Sequence, residues 1–474
     1  MSKSSGSLNR RQFVKGAGLC GVAATIGVRP VVANTTLTAS SKVQRAKNLI
    51  FLVADGMGTG TWSLGHHWSL QNFGKPPNWT NLYRCSGITR ALQDTASASS
   101  PVTDSAAAAS AWGCGQRVMN CAINTDASGV LLKPLYSYAK AAGKATGLVT
   151  TCRITHATPA GFVSNVVDRN MEDAIAQQYL EREVDVLLGG GLQHFQRPAS
   201  PGIPESVPVD RIPEFKSKGY ACVRDKMELN QQTAAPRLLG LFSESHMPYA
   251  IDRKYDTNFS EVPDLPTLFK AALDSLSVSK KGFVLQVEAG RVDHAGHVND
   301  PAAMLHEFLE FDHCIPIALE YLTKEPDTLV IITTDHGTGG CQLNGLGDAY
   351  NDSGPALKNI NEATASFEVL ESEFKANRRF DRKRFIKATG IAPTEAQSEA
   401  IQMALKDETV EYLSSKMTRI ISEEMMQTTA VGWTSNNHTA ELVDLFALGP
   451  GSEQVPPFIK NNELFKVMKQ ALGV

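Results

Sequence analysis

A chain of 474 residues, 42% hydrophobic and 20% charged, has ample length for a large buried core in one domain or two. Its 46 lysines and arginines against 49 aspartates and glutamates leave a formal charge of -3 with no long basic run, which argues against a nucleic-acid partner. No stretch is long and apolar enough to read as a membrane span.

In chain order, the first feature is a targeting segment. "NRRQFVKGAGLCGVAATIGVRPVVA" pairs Arg10 with Arg11, continues through Phe13 and Lys15 into a mildly apolar stretch, and ends on small residues at Val31 and Ala33. This pattern predicts a twin-arginine export signal over residues 1–33, with a periplasmic or secreted mature chain over 34–474. Leu19 stands where a lipoprotein box before Cys20 wants a small residue, so no lipid anchor is expected. Removing the signal leaves seven cysteines; an oxidising compartment permits disulfides, and Cys114 with Cys121 is a candidate pair that spacing alone does not assign.

The next element, "NLIFLVADGMG", is an apolar run ending in Asp55, where Gly56 and Gly58 allow a tight turn. "VTDSAAAAS" follows at Val102 to Ser110, with Asp104 and Ser105 in front of an alanine run, a helix start in which either residue is a natural cap. A helix N-terminus also attracts anions, so Ser105 would sit beside a bound phosphate, yet nothing local would deprotonate it. "ATGLVTTCRITHATPA" leads to His156 and Thr158, and "VDVLLGGG" ends in Gly189 to Gly191. "GFVLQVEAGRVDHAGH" ends in Glu288, Asp293, His294 and His297, and "TLVIITTDHGTGG" in Asp335 and His336. From residue 342 to 433 strand-like runs vanish: Phe367, Leu370 and Phe374 share a helix face, and Thr394 with Gln397 forms a capping box. This predicts a helical insertion that acts as a lid, a substrate wall, a dimer contact or a peripheral decoration. His438 and the run "LVDLFALGPG" close the series.

Near-continuous apolar runs suit strands buried on both faces, and helical stretches between them suit βα units. The predicted fold is therefore α/β, a central and mostly parallel sheet whose carboxyl ends carry the ligands on one rim. Of eleven histidines, five lie at these ends: His156, His294, His297, His336 and His438. His66, His67, His194, His246, His306 and His313 are read as structural or surface residues. Asp293 and His297 stand four apart and can face one cation, and Asp335 and His336 are adjacent on a strand-end turn. Mixed imidazole and carboxylate sets suit zinc, whereas an all-oxygen set of Asp, Thr and Glu suits magnesium. Two zinc ions roughly 3.5–4 Å apart would supply the activation that Ser105 lacks.

The ordered set "DGMG", "VTDSAAAASA", "THATPAGFVSNVVDR", "VEAGRVDHAGH", "TTDHG" and "NNHTA" resembles the signature segments of the alkaline phosphatase family, from about Asn48 to about Gly451. The resemblance implies the family's three-layer α/β/α sandwich and a phosphomonoesterase with Ser105 as nucleophile, forming a covalent phosphoserine. It implies one zinc on Asp293, His297 and His438, and a second on Asp55, Asp335 and His336. It implies a third site on Asp55, Thr158 and Glu288, normally magnesium, with Arg169 clamping two phosphate oxygens. His156 and His294 stand where the enteric bacterial type has aspartate and lysine, and an imidazole at His156 would favour zinc in the third site. The substrates implied are small phosphate monoesters, and the assembly implied is a homodimer. A phosphodiesterase of the same superfamily and a non-catalytic binder of phosphate or metal are the competing readings. A sulfatase would need a Cys/Ser-x-Pro-x-Arg segment that "TDSAAAA" does not supply.

Overall fold

The computed structural model of the chain describes residues 45–197, 209–232 and 235–474; the twin-arginine segment lies outside them. Ten strands form one sheet: β1 (Asn48–Ala54), β2 (Thr89–Asp94), β3 (Ala145–Arg153), β4 (Val186–Gly190), β5 (Ala221–Val223), β6 (Leu238–Leu241), β7 (Phe283–Ala289), β8 (Thr328–Thr333), β9 (Val443–Leu448) and β10 (Phe458–Lys460). Their spatial order is β10-β2-β9-β8-β1-β7-β3-β4-β6-β5. Every neighbouring pair is parallel except those made by β9, which runs antiparallel to both β8 and β2. The apolar runs are continuous because both faces are covered. In β1, Ile50 and Leu52 enter one core while Leu49, Phe51 and Val53 enter the other, and all are fully buried.

Helices close both faces and complete three layers. On one side pack Thr59–Phe73, Leu265–Ser277 and Pro301–Lys324. On the other pack Leu135–Ala141, Glu172–Glu181 and Asn461–Leu472, together with α1 (Ser105–Cys114). Among the described residues no helix is long and apolar enough to cross a membrane.

Between β8 and β9 the chain forms a run of short helices with a core of its own, built on Leu370, Phe374, Phe385, Ile401 and Met417. Two of these helices matter below, α2 (Phe367–Asn377) and α3 (Leu413–Ile420). Thr394 and Gln397 form the reciprocal capping box at the start of Glu395–Lys406. The segment is not free of strands as the sequence suggested: Gln342–Leu343 pairs antiparallel with Val431–Gly432, bringing its two ends together. Cys114 and Cys121 are not bridged; both are free thiols, the first buried and the second exposed.

Candidate metal centre

The carboxyl ends of four strands deliver the polar residues. Asp55 follows β1, Glu288 is the last residue but one of β7, Asp335 and His336 follow β8, and His156 and Thr158 follow β3 at the short helix Ala157–Gly161. Helix α4 (Arg291–Val298), which starts just after β7, carries Asp293 and His297 one turn apart. His438 arrives on a two-residue strand that pairs with Gly337–Thr338, and so comes to lie beside His336. Gly56 makes the first of these turns possible. Its φ of +72° is a left-handed conformation, and a Cβ there would stand 2.6 Å from the Asp293 Cα.

Three groups of potential ligands result, each with its donor atoms within 4.8 Å: Asp293, His297 and His438; Asp55, Asp335 and His336; and Asp55, His156 and Glu288. Hydrogen bonds fix the imidazole tautomers in the first two groups. His297 Nδ1 donates to the Asn436 carbonyl at 2.6 Å, and His438 Nδ1 to the Thr103 carbonyl at 2.8 Å. The Thr338 hydroxyl is committed to Asp293 Oδ1 at 2.5 Å, so at 3.3 Å it accepts from His336 Nδ1. In the neutral ring each Nε2 is thus a lone pair, as in metal-ligating imidazoles; on His297 the Asp293 carboxylate 3.4 Å away favours a proton at that nitrogen, pushing the imidazole up to about 9, and a bound metal would take that proton's place. These Nε2 atoms face one another and face carboxylates. His297 Nε2 stands 3.0 Å from His438 Nε2, and His336 Nε2 stands 3.2 Å from Asp335 Oδ2. Ring nitrogens and carboxylate oxygens converging this closely need a proton or a metal cation between them, and a mixed nitrogen and oxygen donor set suits zinc.

Electrostatics gives the same answer. Asp55, Glu288 and Asp335 are fully buried, and Asp293 nearly so. Burial, with Asp335, Asp293 and Glu288 adding like charge, pushes Asp55 far above the usual carboxylate range. Burial likewise pushes Asp335 up to about 8 and raises Glu288. Asp335 Oδ2 and Glu288 Oε1 are buried without a hydrogen-bond partner. Such a concentration of unmatched carboxylate oxygen fits divalent cations and little else.

Ser105 opens α1 at the edge of this cluster, with Oγ 3.4 Å from His336 Nε2 and 3.5 Å from Asp55 Oδ1. Asp104 is the cap: Oδ1 accepts from Ala107 N at 2.9 Å. Its other oxygen accepts from Arg169 Nη1 at 3.0 Å, so one side chain fixes both the helix start and the guanidinium next to it. Arg169 Nη2 donates to His156 Nε2 at 2.9 Å, which leaves His156 Nδ1 buried and unpartnered in a ring that has a nitrogen within 4.8 Å of carboxylate oxygens of Asp55 and Glu288. Thr158 Oγ1 donates to Asp55 Oδ2 at 3.3 Å, and Thr150 donates to Glu288.

Every residue expected at the site thus meets at least one other of the set. Sequence reasoning passed over Thr338, although it lies only two residues beyond His336 and supports both His336 and Asp293. It also placed His246 among the ordinary histidines. The structure gives His246 a structural place near the site, packed against His294 with ring centroids 4.3 Å apart and receiving a hydrogen bond from Arg153. Cys152, His246 and His294 bring donor atoms within 4.8 Å as well, but guanidinium N–H groups already occupy lone pairs of both rings. Two arginines make that wall cationic, which disfavours a metal there.

Known proteins similar to this chain fall in one family. A family model described as alkaline phosphatase matches residues 46–474. Alkaline phosphatase 3 of Bacillus subtilis is 33% identical over 439 residues, covering 90% of this chain and 89% of that protein. The alkaline phosphatase of Escherichia coli is 31% identical over 331 residues, covering 61% of this chain and 70% of that protein. The crystal structure of Thermus thermophilus alkaline phosphatase superposes with a TM-score of 0.82 at 34% identity, covering 91% of this chain and 92% of that one.

Proposed function

The chain belongs to the alkaline phosphatase family of enzymes, and from that premise we propose that it hydrolyses phosphate monoesters through a covalent phosphoserine on Ser105. The observation that carries the reading is the position of Ser105, whose hydroxyl lies within 3.5 Å of both Asp55 and His336 at a helix N-terminus. A phosphate or metal binder has no use for a nucleophile in that place.

In this reading Asp293, His297 and His438 would hold one zinc, Asp55, Asp335 and His336 a second, and Asp55, Thr158 and Glu288, with His156 beside them, magnesium or a third zinc. Bound there, the cations act as Lewis acids that lower the pKa of the serine hydroxyl and of water and stabilise the leaving oxygen. Arg169, held by Asp104 and His156, retains further N–H groups for two phosphate oxygens, a match to the planar guanidinium fork. The N–H groups of the first turn of α1 add positive potential where the phosphoryl group would sit. Ser105 gives its hydroxyl proton to solvent, Oγ bonds to phosphorus in line as the ester P–O bond breaks, and the departing alkoxide takes a proton from solvent to leave as the alcohol. Water then attacks the phosphoserine, releasing inorganic phosphate and restoring the hydroxyl. Export through the twin-arginine segment and a homodimeric mature protein belong to the same proposal.

The test is turnover of a phosphate monoester and a diester by the mature protein and by Ser105→Ala, with zinc and magnesium content measured in each. Removal of the nucleophile is expected to lower kcat by about a thousandfold or more while metal content is retained. Preference for the diester would overturn the monoesterase assignment. Bound metal without turnover of either ester would return the protein to the binders.

A further inference from the structure

Arg291 is an unusual residue to find beside a cluster that needs cations. It opens α4, two residues before Asp293, and is only 2% exposed. Its guanidinium carbon lies 3.8 Å from the centroid of the Tyr249 ring, and Nη2 donates to both oxygens of Glu368 at 2.8 Å. Glu368 belongs to α2, in the segment between β8 and β9, and is itself half exposed. The start of α2 is docked on the main body by two buried carboxylates: Asp252 accepts from Ser366 N, and Asp300 accepts from Phe367 N, both at 2.8 Å. Glu368 is thus set in place by backbone contacts rather than left as a free surface acid.

The other amine of Arg291 is directed at His294. Nη1 stands 2.8 Å from His294 Nδ1. A guanidinium only donates, so His294 Nδ1 must be the lone pair and Nε2 must carry the proton. His294 packs edge-on to His156, with ring centroids 5.6 Å apart, and His156 in turn takes a hydrogen bond from Arg169. Among the described residues His294 Nε2 meets no protein partner.

The geometry points to Arg291 as a positioning residue, held by Glu368 and holding His294 in the Nε2–H form as a fixed hydrogen-bond donor to phosphate bound beside Arg169. This rests on the phosphate-hydrolysis reading above and gives the helical segment a function in it. The segment supplies the carboxylate that keeps a buried arginine in register with the site. The same segment also reaches α4 directly, where Ser415 and Thr418 of α3 donate to the carbonyls of His297 and Val298.

Two measurements test the assignment. In metal-free protein labelled with ¹⁵N-histidine, His294 is expected as the Nε2–H tautomer, with its ring shifts moving toward a tautomer mixture in Arg291→Met. In the metal-loaded enzyme, Arg291→Met and Glu368→Ala are expected to raise the inhibition constant for inorganic phosphate by about tenfold, the scale of one hydrogen bond to a charged group. Zinc content should be unchanged, and Glu368→Gln, which keeps an acceptor, should recover most of the loss. Glu368→Ala alters a half-exposed side chain and carries the test should Arg291→Met fail to fold. An Nδ1–H tautomer in the parent protein would overturn the proposal, as would an unchanged phosphate constant in both variants. A fall in zinc content parallel to the loss of phosphate affinity would also overturn it, since the pair would then merely support α4. None of these results touches the Ser105 test, which stands or falls on turnover by the parent enzyme.

Discussion

His156 stands between two demands that one imidazole cannot meet together. Its Nε2 accepts from Arg169 at 2.9 Å, which places the proton on Nδ1. A cation shared with Asp55 and Glu288 needs Nδ1 as a lone pair, which would move the proton to Nε2 and set it against a donor of Arg169. Burial, with Arg169 adding to it, holds the imidazole well below its usual range, so taking a second proton is no escape. Aspartate removes the conflict, because one oxygen can accept from Arg169 while the other faces the cation. An all-oxygen site also suits magnesium better. His156→Asp is therefore expected to raise magnesium affinity at the third site by about tenfold or more, seen as stronger activation when magnesium is titrated into zinc-loaded enzyme. An unchanged magnesium response would remove His156 from that site.

The aim of Ser105 depends on how α1 is seated. Gly113, near the end of α1, lies so close to the helix Ala157–Gly161 that a Cβ there would stand 1.8 Å from the Gly161 carbonyl oxygen. The obstruction is backbone, which cannot rotate aside as a side chain would, so Gly113→Ala must push two helices apart. One of these carries Ser105 and the other Thr158. The expected cost is about 1–3 kcal/mol of stability with a fall in kcat that exceeds any change in KM. Thermal melting and steady-state kinetics measure both, and a variant with parental melting temperature and kcat would show that this contact does not fix the nucleophile. At this scale much was legible in the sequence. Strands buried on both faces leave unbroken apolar runs, so Asp55, Glu288 and Asp335 stood out as the residues where each run stops. The alanine run marked α1, and Asp104 was readable as its cap. The pairs that hold the elements together were not readable. Arg291 meets Glu368 across 77 positions, Thr338 meets Asp293 across 45, and Arg153 meets His246 across 93. Local periodicity carries no record of which distant side chain fills a given hydrogen bond.

For the molecule as a whole, the helical segment between β8 and β9 is tied to the main body by ionisable groups, so its attachment is sensitive to pH. Burial pushes the Asp252 carboxyl up to about 7 and that of Asp300 up to about 6, although both accept backbone hydrogen bonds from the start of α2. A carboxyl whose folded value is raised is stabilising in its protonated form. For Asp252 that contribution is fully present below its ordinary value near 3.8 and is lost as pH climbs to about 7, with no further change above. The loss is on the order of 4 kcal/mol over that window, and it means that at alkaline pH the segment is held against a buried charge. Asp252→Asn cannot ionise, while its amide oxygen still accepts from Ser366 N. The melting temperature of the variant minus that of the parent is expected to rise between pH 5 and pH 8 and then to level off. Loss of metal at acid pH affects both proteins alike and cancels in the difference. A difference that is flat across this range would show that Asp252 is ionised throughout, and that the start of α2 is docked without a pH-dependent penalty from this carboxylate.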